Sequence, residues 1–134
     1  MVAKRPVVLV IDDQPGIRRL LLEVLQEEGY TVLEASNGYD GLQKARDGRP
    51  ALILMDMKMP GMDGIETLRE LRRLGIDVRV IMMTAYGELD LVTEAKAIGA
   101  TDYITKPFDI LALCEMIGRN LAGDELASGQ MAIG

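Results

Sequence analysis

Five short apolar runs alternate along the chain with five segments whose apolar residues recur at helical spacing. Apolar runs this short, bounded by turn residues, are typical of strands, and the spaced segments are typical of helices that bury one face. The predicted strands cover residues 7–11, 30–35, 51–55, 78–84 and 101–105. Strands that alternate with helices indicate an α/β fold, in which helices cover both faces of a parallel sheet.

The polarity of the five runs predicts their order in the sheet. The first, third and fourth runs are almost wholly hydrophobic, as central strands buried on both faces must be. The second run carries Thr31 and Glu34, and the fifth is mixed in polarity, as edge strands can be. We therefore predict a flavodoxin-like, doubly wound (βα)5 fold with strand order 2-1-3-4-5. Ligands of such folds bind at the carboxyl ends of the strands, where the winding reverses.

The helix boundaries and the extent of the domain follow from turn residues. Residues 1–122 are predicted to form one domain, and residues 123–134, which are small and polar without an apolar period, a flexible C-terminal tail. Asp109 is the predicted N-cap of the last helix, and Asp47-Gly48 is predicted to close the second. Three glycines are predicted to end the first, third and fourth helices: Gly29, Gly75 and Gly99.

The composition excludes several classes of function. The 134 residues contain no histidine, which excludes Ser-His and Cys-His hydrolases. A net charge of −6 argues against direct DNA binding. The single cysteine, Cys114, forms no internal disulfide and fits a reducing, cytoplasmic setting. No apolar run approaches the ~18 residues that span a bilayer, so we expect no membrane association.

Polar side chains follow four of the predicted strands at the same edge of the sheet. They are Asp12 and Asp13 after the first strand, Asp56 after the third, Thr84 at the end of the fourth and Lys106 after the fifth. Each alone has a structural explanation, because acidic residues and threonine commonly begin loops or cap helices. Their coincidence at one edge favours a functional site.

The chemistry of this cluster points to a metal ion and a phosphoryl group. Neighbouring carboxylates repel one another unless a cation lies among them, and oxygen ligands alone indicate Mg²⁺ or a similar hard ion. A lysine ammonium and a threonine hydroxyl suit the remaining phosphoryl oxygens. No glycine-rich nucleotide-binding motif is present, so we expect the phosphoryl group to arrive from a small donor or a partner protein. Asp56, on the central strand, is the expected acceptor.

Four motifs resemble the receiver domains of bacterial two-component response regulators, in the right order across residues 6–121. They are Ile11-Asp12-Asp13-Gln14, the stretch from Met55 to Gly64, Met83-Thr84-Ala85-Tyr86-Gly87 and Lys106-Pro107-Phe108. Longer versions of the first three motifs are similar to the single-domain receivers of sporulation phosphorelays. No output domain is evident after the receiver-like region, so we expect a stand-alone receiver that acts through partner proteins.

The resemblance implies a role for each residue of the cluster. Asp56 would be phosphorylated, and Asp13, Asp56 and the backbone carbonyl of Lys58 would bind Mg²⁺, with Asp12 adding charge directly or through water. Lys106 would pair with the phosphoryl group or, before phosphorylation, with Asp56.

The resemblance also implies a conformational switch. A phosphoryl oxygen would draw Thr84 inward, and an aromatic residue on the fifth strand, Tyr103, would move with it. The alternative is that Tyr103 is simply a packed edge-strand tyrosine. Sporulation receivers carry histidine at this position, so here the sequence departs from their pattern.

Partners are implied in the same way. A sensor histidine kinase would supply the phosphoryl group to a monomeric receiver, and a histidine phosphotransferase would accept it. The expected partner surface comprises Gly16, Ile17, Arg18, Leu20, Tyr86, Pro107 and Phe108. Periodicity instead assigns Ile17 and Leu20 to the core with Leu21, Val24 and Leu25, and we favour exposure because one stripe does not easily bury all five. Phe108 suits core packing and partner contact equally.

Three other functions are open to a chain of this kind. A chemotaxis-type receiver would dock on a target when phosphorylated, without relaying the group. An aspartyl-phosphate hydrolase would need a second acid two residues after its nucleophile, and Lys58 occupies that position. Lys58 would also crowd an attacking water and so favour a long-lived phosphoryl group. A degenerate, unphosphorylated receiver is disfavoured because every required group is present.

Overall fold

A computed structural model describes the chain from residue 5 to residue 133, and its side chains from residue 5 to residue 122. Five strands alternate with five helices, as predicted, and each strand begins and ends within one residue of its predicted bounds. The strands are β1 Val7–Ile11, β2 Thr31–Ala35, β3 Leu52–Asp56, β4 Arg79–Thr84 and β5 Asp102–Thr105. The helices are α1 Pro15–Glu27, α2 Gly38–Gly48, α3 Gly64–Arg73, α4 Leu89–Ile98 and α5 Ile110–Ile133.

The sheet is parallel and its strands follow the predicted order, β2-β1-β3-β4-β5. Every residue of β3 is buried, whereas every residue of β5 is only partly buried and β2 begins with the exposed Thr31. Central strands lose contact with water on both faces, so only apolar sequences tolerate those positions. The flavodoxin-like fold is confirmed.

Successive side chains of the central strands enter two separate apolar cores. Leu9, Ile53 and Met82 point to the face covered by α2, α3 and α4, whereas Val10 and Leu54 point to the face covered by α1 and α5. Each such side chain contributes about 1.5–3 kcal/mol when it is fully buried. The two cores hold the sheet between two helical layers and leave its carboxyl edge to the loops.

The second helix, α2, ends at Gly48, as predicted. The residue with left-handed backbone is the following one, Arg49, with φ at 44°. A Cβ at position 48 would lie 2.5 Å from Leu33 Cδ1, so any larger residue there would require the Leu33 side chain to shift. Gly48 therefore allows the last turn of α2 to approach β2, and Arg49 adopts the left-handed conformation that follows the helix.

The last helix begins as predicted and extends further than expected. Asp109 Oδ1 accepts hydrogen bonds from the backbone N–H of Leu111 at 2.7 Å and of Ala112 at 3.3 Å. The helix then continues to Ile133, through the segment predicted to be a tail. Alanine, leucine, glutamate and glutamine are good helix formers even without an apolar period. The flexibility of this segment stays a prediction.

Neither α5 nor any other described helix is long and apolar enough to cross a membrane.

A cavity of about 710 Å³ opens at the amino ends of the strands, opposite the predicted site. Arg72 lies in its wall and donates to the carbonyl oxygens of Ile76, Val78 and Gly99, at 2.8, 2.9 and 2.9 Å. This guanidinium joins the loops that precede β4 and β5. Arg72 thus has a structural role at this end of the sheet.

Candidate functional site

Three carboxylates lie together at the carboxyl edge of the sheet. The register pairs Ile11 with Met55, which places Asp12 and Asp56 side by side at the ends of β1 and β3. One carboxylate oxygen from each of Asp12, Asp13 and Asp56 lies within 4.8 Å of the other two. Asp12 is fully buried, Asp56 is 9% exposed and Asp13 is half-buried. Buried charges of one sign are costly without a counter-ion.

Lys106 supplies part of that counter-charge. Its Nζ lies 2.9 Å from Asp12 Oδ2 and 3.4 Å from Asp56 Oδ1. Burial opposes the charged ammonium, but the hydrogen bond and charge of Asp12, together with Asp56, raise the pKa of Lys106 above its usual value. The implied contact with Asp56 is therefore present, although Asp12 is the closer partner. Lys106 N also donates to Thr84 O at 2.6 Å, which fixes the end of β5 against β4.

The charge of the cluster is not balanced by one ammonium. The pKa of Asp56 is raised to about 6, first by burial and then by the charge of Asp12, with a smaller contribution from Asp13, and Lys106 offsets only part of this rise. Carboxylate oxygens alone are hard ligands, and crowded carboxylates with excess negative charge fit Mg²⁺. Asp12, Asp13 and Asp56 could hold the ion. The carbonyl of Lys58 as a further ligand stays a prediction.

The raised pKa of Asp56 predicts a pH-dependent gain in stability on Asp56→Asn. Because the pKa rises from 3.8 to about 6 on folding, protonated Asp56 stabilises the fold below pH ~4, and this contribution is lost as the pH rises through about 6. The neutral amide should remove a penalty of about 1–3 kcal/mol near neutral pH.

Thermal unfolding in EDTA should therefore show a higher Tm for Asp56→Asn near neutral pH, and the difference from wild type should vanish at about pH 4. Asp47→Asn, at an exposed position on α2, is the matched control and should leave the Tm unchanged at both pH values. A constant difference across the pH range would contradict the raised pKa.

The loop after β3 is folded tightly beneath the site. Gly64 N donates to Met57 O at 2.8 Å, and a Cβ at position 64 would overlap the carbonyl oxygen of Asp56. Asp63 belongs to this loop but not to the acidic cluster, because its Oδ1 accepts from Glu66 N at 2.8 Å and caps α3. The loop holds the end of β3, and with it Asp56, in a fixed place.

The loop after β4 is held by a residue whose role the sequence analysis missed. The Thr84 hydroxyl donates to Ala85 O at 3.0 Å, and Ala85 N donates to Glu88 Oε1 at 2.5 Å. Lys58 Nζ lies 3.1 Å from Glu88 Oε2. Glu88 lies in the longer form of the third receiver-like motif, which runs from Thr84 to Asp90, but the resemblance implied no role for it. The Thr84 hydroxyl is bonded within its own loop, and its inward movement stays a prediction.

Tyr103 packs against the core from the edge strand β5. Its ring is half-buried and packs against the core formed with α2, α3 and α4. Lys96 Nζ, on α4, lies 5.1 Å from the ring centroid, a distance typical of a cation–π contact. The packed position is shown, and a switching movement stays a prediction.

The apolar stripe of α1 divides between core and surface. Leu21 and Leu25 are fully buried, and Ile17 is half-buried against the core shared with α5. Leu20 is 41% exposed. Periodicity therefore overestimates the buried stripe at Leu20, whereas Ile17 contacts the core and still reaches the surface.

The other predicted partner residues also differ in exposure. Three of them are exposed: Gly16, Tyr86 and Pro107. Phe108 is half-buried and packs against the core of α1 and α5. Arg18 turns inward, donating to Asp12 O at 2.7 Å and to Glu34 Oε1 at 3.3 Å. Its side chain supports the strand end that carries the acids, a role that its place in the sequence did not reveal.

Comparisons with known proteins agree with this geometry. A family model described as the response regulator receiver domain matches residues 8–118. The chain belongs to the response regulator receiver family. Members of this family are phosphorylated on an aspartate with Mg²⁺ and are not enzymes in the usual sense.

Individual receivers are similar over most of this chain. Sporulation initiation phosphotransferase F of Bacillus subtilis (strain 168) is 52% identical over 103 residues, covering 77% of this chain and 83% of that protein. Chemotaxis protein CheY of the same organism is 36% identical over 115 residues, covering 85% and 96%. The CheY-like receiver domain protein from Methanospirillum hungatei JF-1 has a TM-score of 0.87 at 31% identity, covering 92% and 99%. Some relatives are longer, and the match covers 25% of one of them.

Proposed function

We propose that this receiver is a cytoplasmic, monomeric phosphorelay intermediate that does not bind DNA directly. A sensor histidine kinase phosphorylates it on Asp56, and a histidine phosphotransferase accepts the group. The observation that carries the proposal is the position of Asp56, a nearly buried carboxylate beside two others and 3.4 Å from Lys106. The 52% identity with a sporulation phosphotransferase supports the relay rather than another output.

The chemistry follows from the side chains at the strand ends. An Asp56 carboxylate oxygen attacks the phosphorus of a phosphohistidine; the P–O bond forms as the P–N bond breaks, and the imidazole nitrogen keeps the electron pair. The Lys106 ammonium would pair with one phosphoryl oxygen, and the Thr84 hydroxyl, now bonded to Ala85 O, would turn to donate to another. Mg²⁺ held by Asp12, Asp13 and Asp56 would neutralise charge that develops on the phosphoryl oxygens.

The return step uses the same groups in reverse, with a histidine of the acceptor attacking the aspartyl phosphate. These 134 residues contain no histidine, so both imidazoles must come from outside them. The test is a phosphotransfer profile against the kinases and phosphotransferases of the same cell. Rapid transfer in both directions with a histidine phosphotransferase would support the relay, and labelling without onward transfer would argue against it.

We expect Leu20→Ala to slow transfer to and from the partner about tenfold, because loss of an interface anchor costs more than about 1 kcal/mol. Phosphorylation by acetyl phosphate and the Tm should stay unchanged, since Leu20 is 41% exposed. Leu74→Ala is the matched control, because Leu74 is 44% exposed at the far end of α3. Equal slowing by both variants would contradict an interface at α1.

Ile17→Ala tests the half-buried neighbour. We expect weaker partner transfer with normal labelling by acetyl phosphate, together with a modest fall in Tm because Ile17 packs against the core. Transfer rates and thermal unfolding, measured on the same preparation, separate the two effects. A variant that is unfolded would show that Ile17 is mainly a core residue.

A docking receiver of the chemotaxis type is the second candidate. The 36% identity with CheY, over 96% of that protein, favours it, as do the exposed side chains of Tyr86 and Leu89, which are 93% and 68% exposed. Mixing the phosphorylated protein with histidine phosphotransferases distinguishes the two. Label that moves to the phosphotransferase supports the relay, and label that stays while a target binds supports docking.

A further inference from the structure

The loop between β4 and α4 contains a nearly buried carboxylate that the proposed chemistry does not use. The side chain of Glu88 is 8% exposed. Glu88 is the N-cap residue of α4, yet its side chain makes no capping hydrogen bond and turns back along the loop. Its Oε1 accepts from Ala85 N at 2.5 Å. Its Oε2 faces Lys58 Nζ at 3.1 Å and makes no aligned hydrogen bond within the described part of the chain.

Both groups that Glu88 contacts belong to segments next to the phosphorylation site. Lys58 lies two residues beyond Asp56. The register pairs Asp56 with Met83, so Ala85 lies two residues beyond that pair on the neighbouring strand. An ammonium and a backbone N–H at the ends of β3 and β4 are the kinds of donors that an anion on Asp56 would recruit.

A phosphoryl group would compete with Glu88 for these donors. It carries about −1.5 to −2 charges at neutral pH, against −1 for a carboxylate. Lys58 is free to respond, because its side chain is 73% exposed. The same loop contains Gly87, whose φ of 90° is a backbone conformation that other residues rarely adopt.

We propose that Glu88 is a positioning residue that holds the Lys58 ammonium and the Ala85 N–H while Asp56 is unmodified, and that phosphorylation displaces it. This rests on the proposed phosphorylation of Asp56. Because the Thr84 hydroxyl bonds to the carbonyl of the same Ala85, release of Ala85 also loosens the contact that holds Thr84. Glu88 thus opposes phosphorylation and links Lys58 to the movement of the β4–α4 loop.

The test is Glu88→Gln, which keeps the size and the acceptor for Ala85 but removes the charge that attracts Lys58. With acetyl phosphate and Mg²⁺, we expect about fivefold faster labelling, equivalent to ~1 kcal/mol, and a longer half-life of the phosphoryl group after donor removal. In a Lys58→Met background the effect of Glu88→Gln should largely disappear. Glu94→Gln, which removes an exposed carboxylate paired with Arg69, is the control and should match wild type.

The outcomes separate this proposal from the proposed function. If wild type and Glu94→Gln take up no label on Asp56, the proposed function fails. If they are labelled and Glu88→Gln has their rate and half-life with only a lower Tm, Glu88 is structural and this proposal fails. An undiminished effect of Glu88→Gln in the Lys58→Met background would also overturn it. Should Glu88→Gln not fold, Glu88→Asp carries the same test, because its shorter carboxylate cannot hold both donors and should also accelerate labelling.

Discussion

The Asp56→Asn protein should take up no hydroxylamine-sensitive label from acetyl phosphate or from a phosphorylated histidine kinase. An amide does not attack phosphorus, and Asp56 is the acid at the end of the central strand, within reach of Lys106 at 3.4 Å. We expect the rate to fall by at least about 1000-fold, because the covalent step has no replacement nucleophile. The fold should survive, because asparagine nearly matches aspartate in size and removes a buried charge.

The control separates loss of the acceptor from general damage. Asp47→Asn, exposed on α2, should be labelled at the wild-type rate. Peptide mapping of the wild-type label should identify the segment that contains Asp56. Full labelling of Asp56→Asn would move the acceptor to Asp12 or Asp13 and would contradict the central assignment.

The fold could be predicted because burial and hydrophobicity are directly linked in a doubly wound sheet. β3 reads as a continuous apolar run and is buried at every position, whereas β2 carries Thr31 and Glu34 and lies at an edge. The exact ends of helices were harder to predict, because a glycine near a helix end can either adopt a left-handed turn or allow close packing. Gly48 does the latter against Leu33, and the left-handed residue is Arg49.

The composition of the site could be predicted because topology brings strand ends together. The parallel register of β1 and β3 alone places Asp12 beside Asp56. Their proximity can therefore be predicted without knowing the side-chain conformations. The closest partner of Lys106 could not be predicted in this way. Asp12 and Asp56 both lie within 3.4 Å of its Nζ, and their relative distances depend on strand twist and side-chain rotamers.

Contacts made through loops were also beyond the sequence pattern. Glu88 accepts a hydrogen bond from Ala85 N and forms an ion pair with Lys58, and no periodicity in the sequence encodes either contact. Arg18 lies on α1 among exposed residues, yet its guanidinium reaches the carbonyl of Asp12. The contacts of long, flexible side chains depend on which groups lie within reach in three dimensions, and the spacing of residues along a helix does not specify this.

Removal of Mg²⁺ should stop phosphorylation. Burial and the charge of Asp12 raise the pKa of Asp56 to about 6, and a phosphoryl group arriving there would add further negative charge. One ammonium, Lys106, is shared between Asp12 and Asp56 and cannot neutralise both the acids and the incoming group. We therefore expect EDTA to slow labelling by acetyl phosphate at least about 100-fold, with full recovery on adding Mg²⁺.

The same charge argument predicts how the ion acts on stability and how the metal ligands differ from other acids. Mg²⁺ should raise the Tm of the wild-type protein, since binding to the folded state alone stabilises it. The rise should be smaller for Asp13→Asn, which should also need about tenfold more Mg²⁺ for half-maximal labelling.

Asp63→Asn is the informative comparison, because Asp63 caps α3 and lies outside the acidic cluster. It should leave the Mg²⁺ requirement unchanged and have little effect on the Tm, because asparagine caps a helix about as well as aspartate. An EDTA-insensitive rate, or equal Mg²⁺ dependence in both variants, would contradict a metal site formed by Asp12, Asp13 and Asp56.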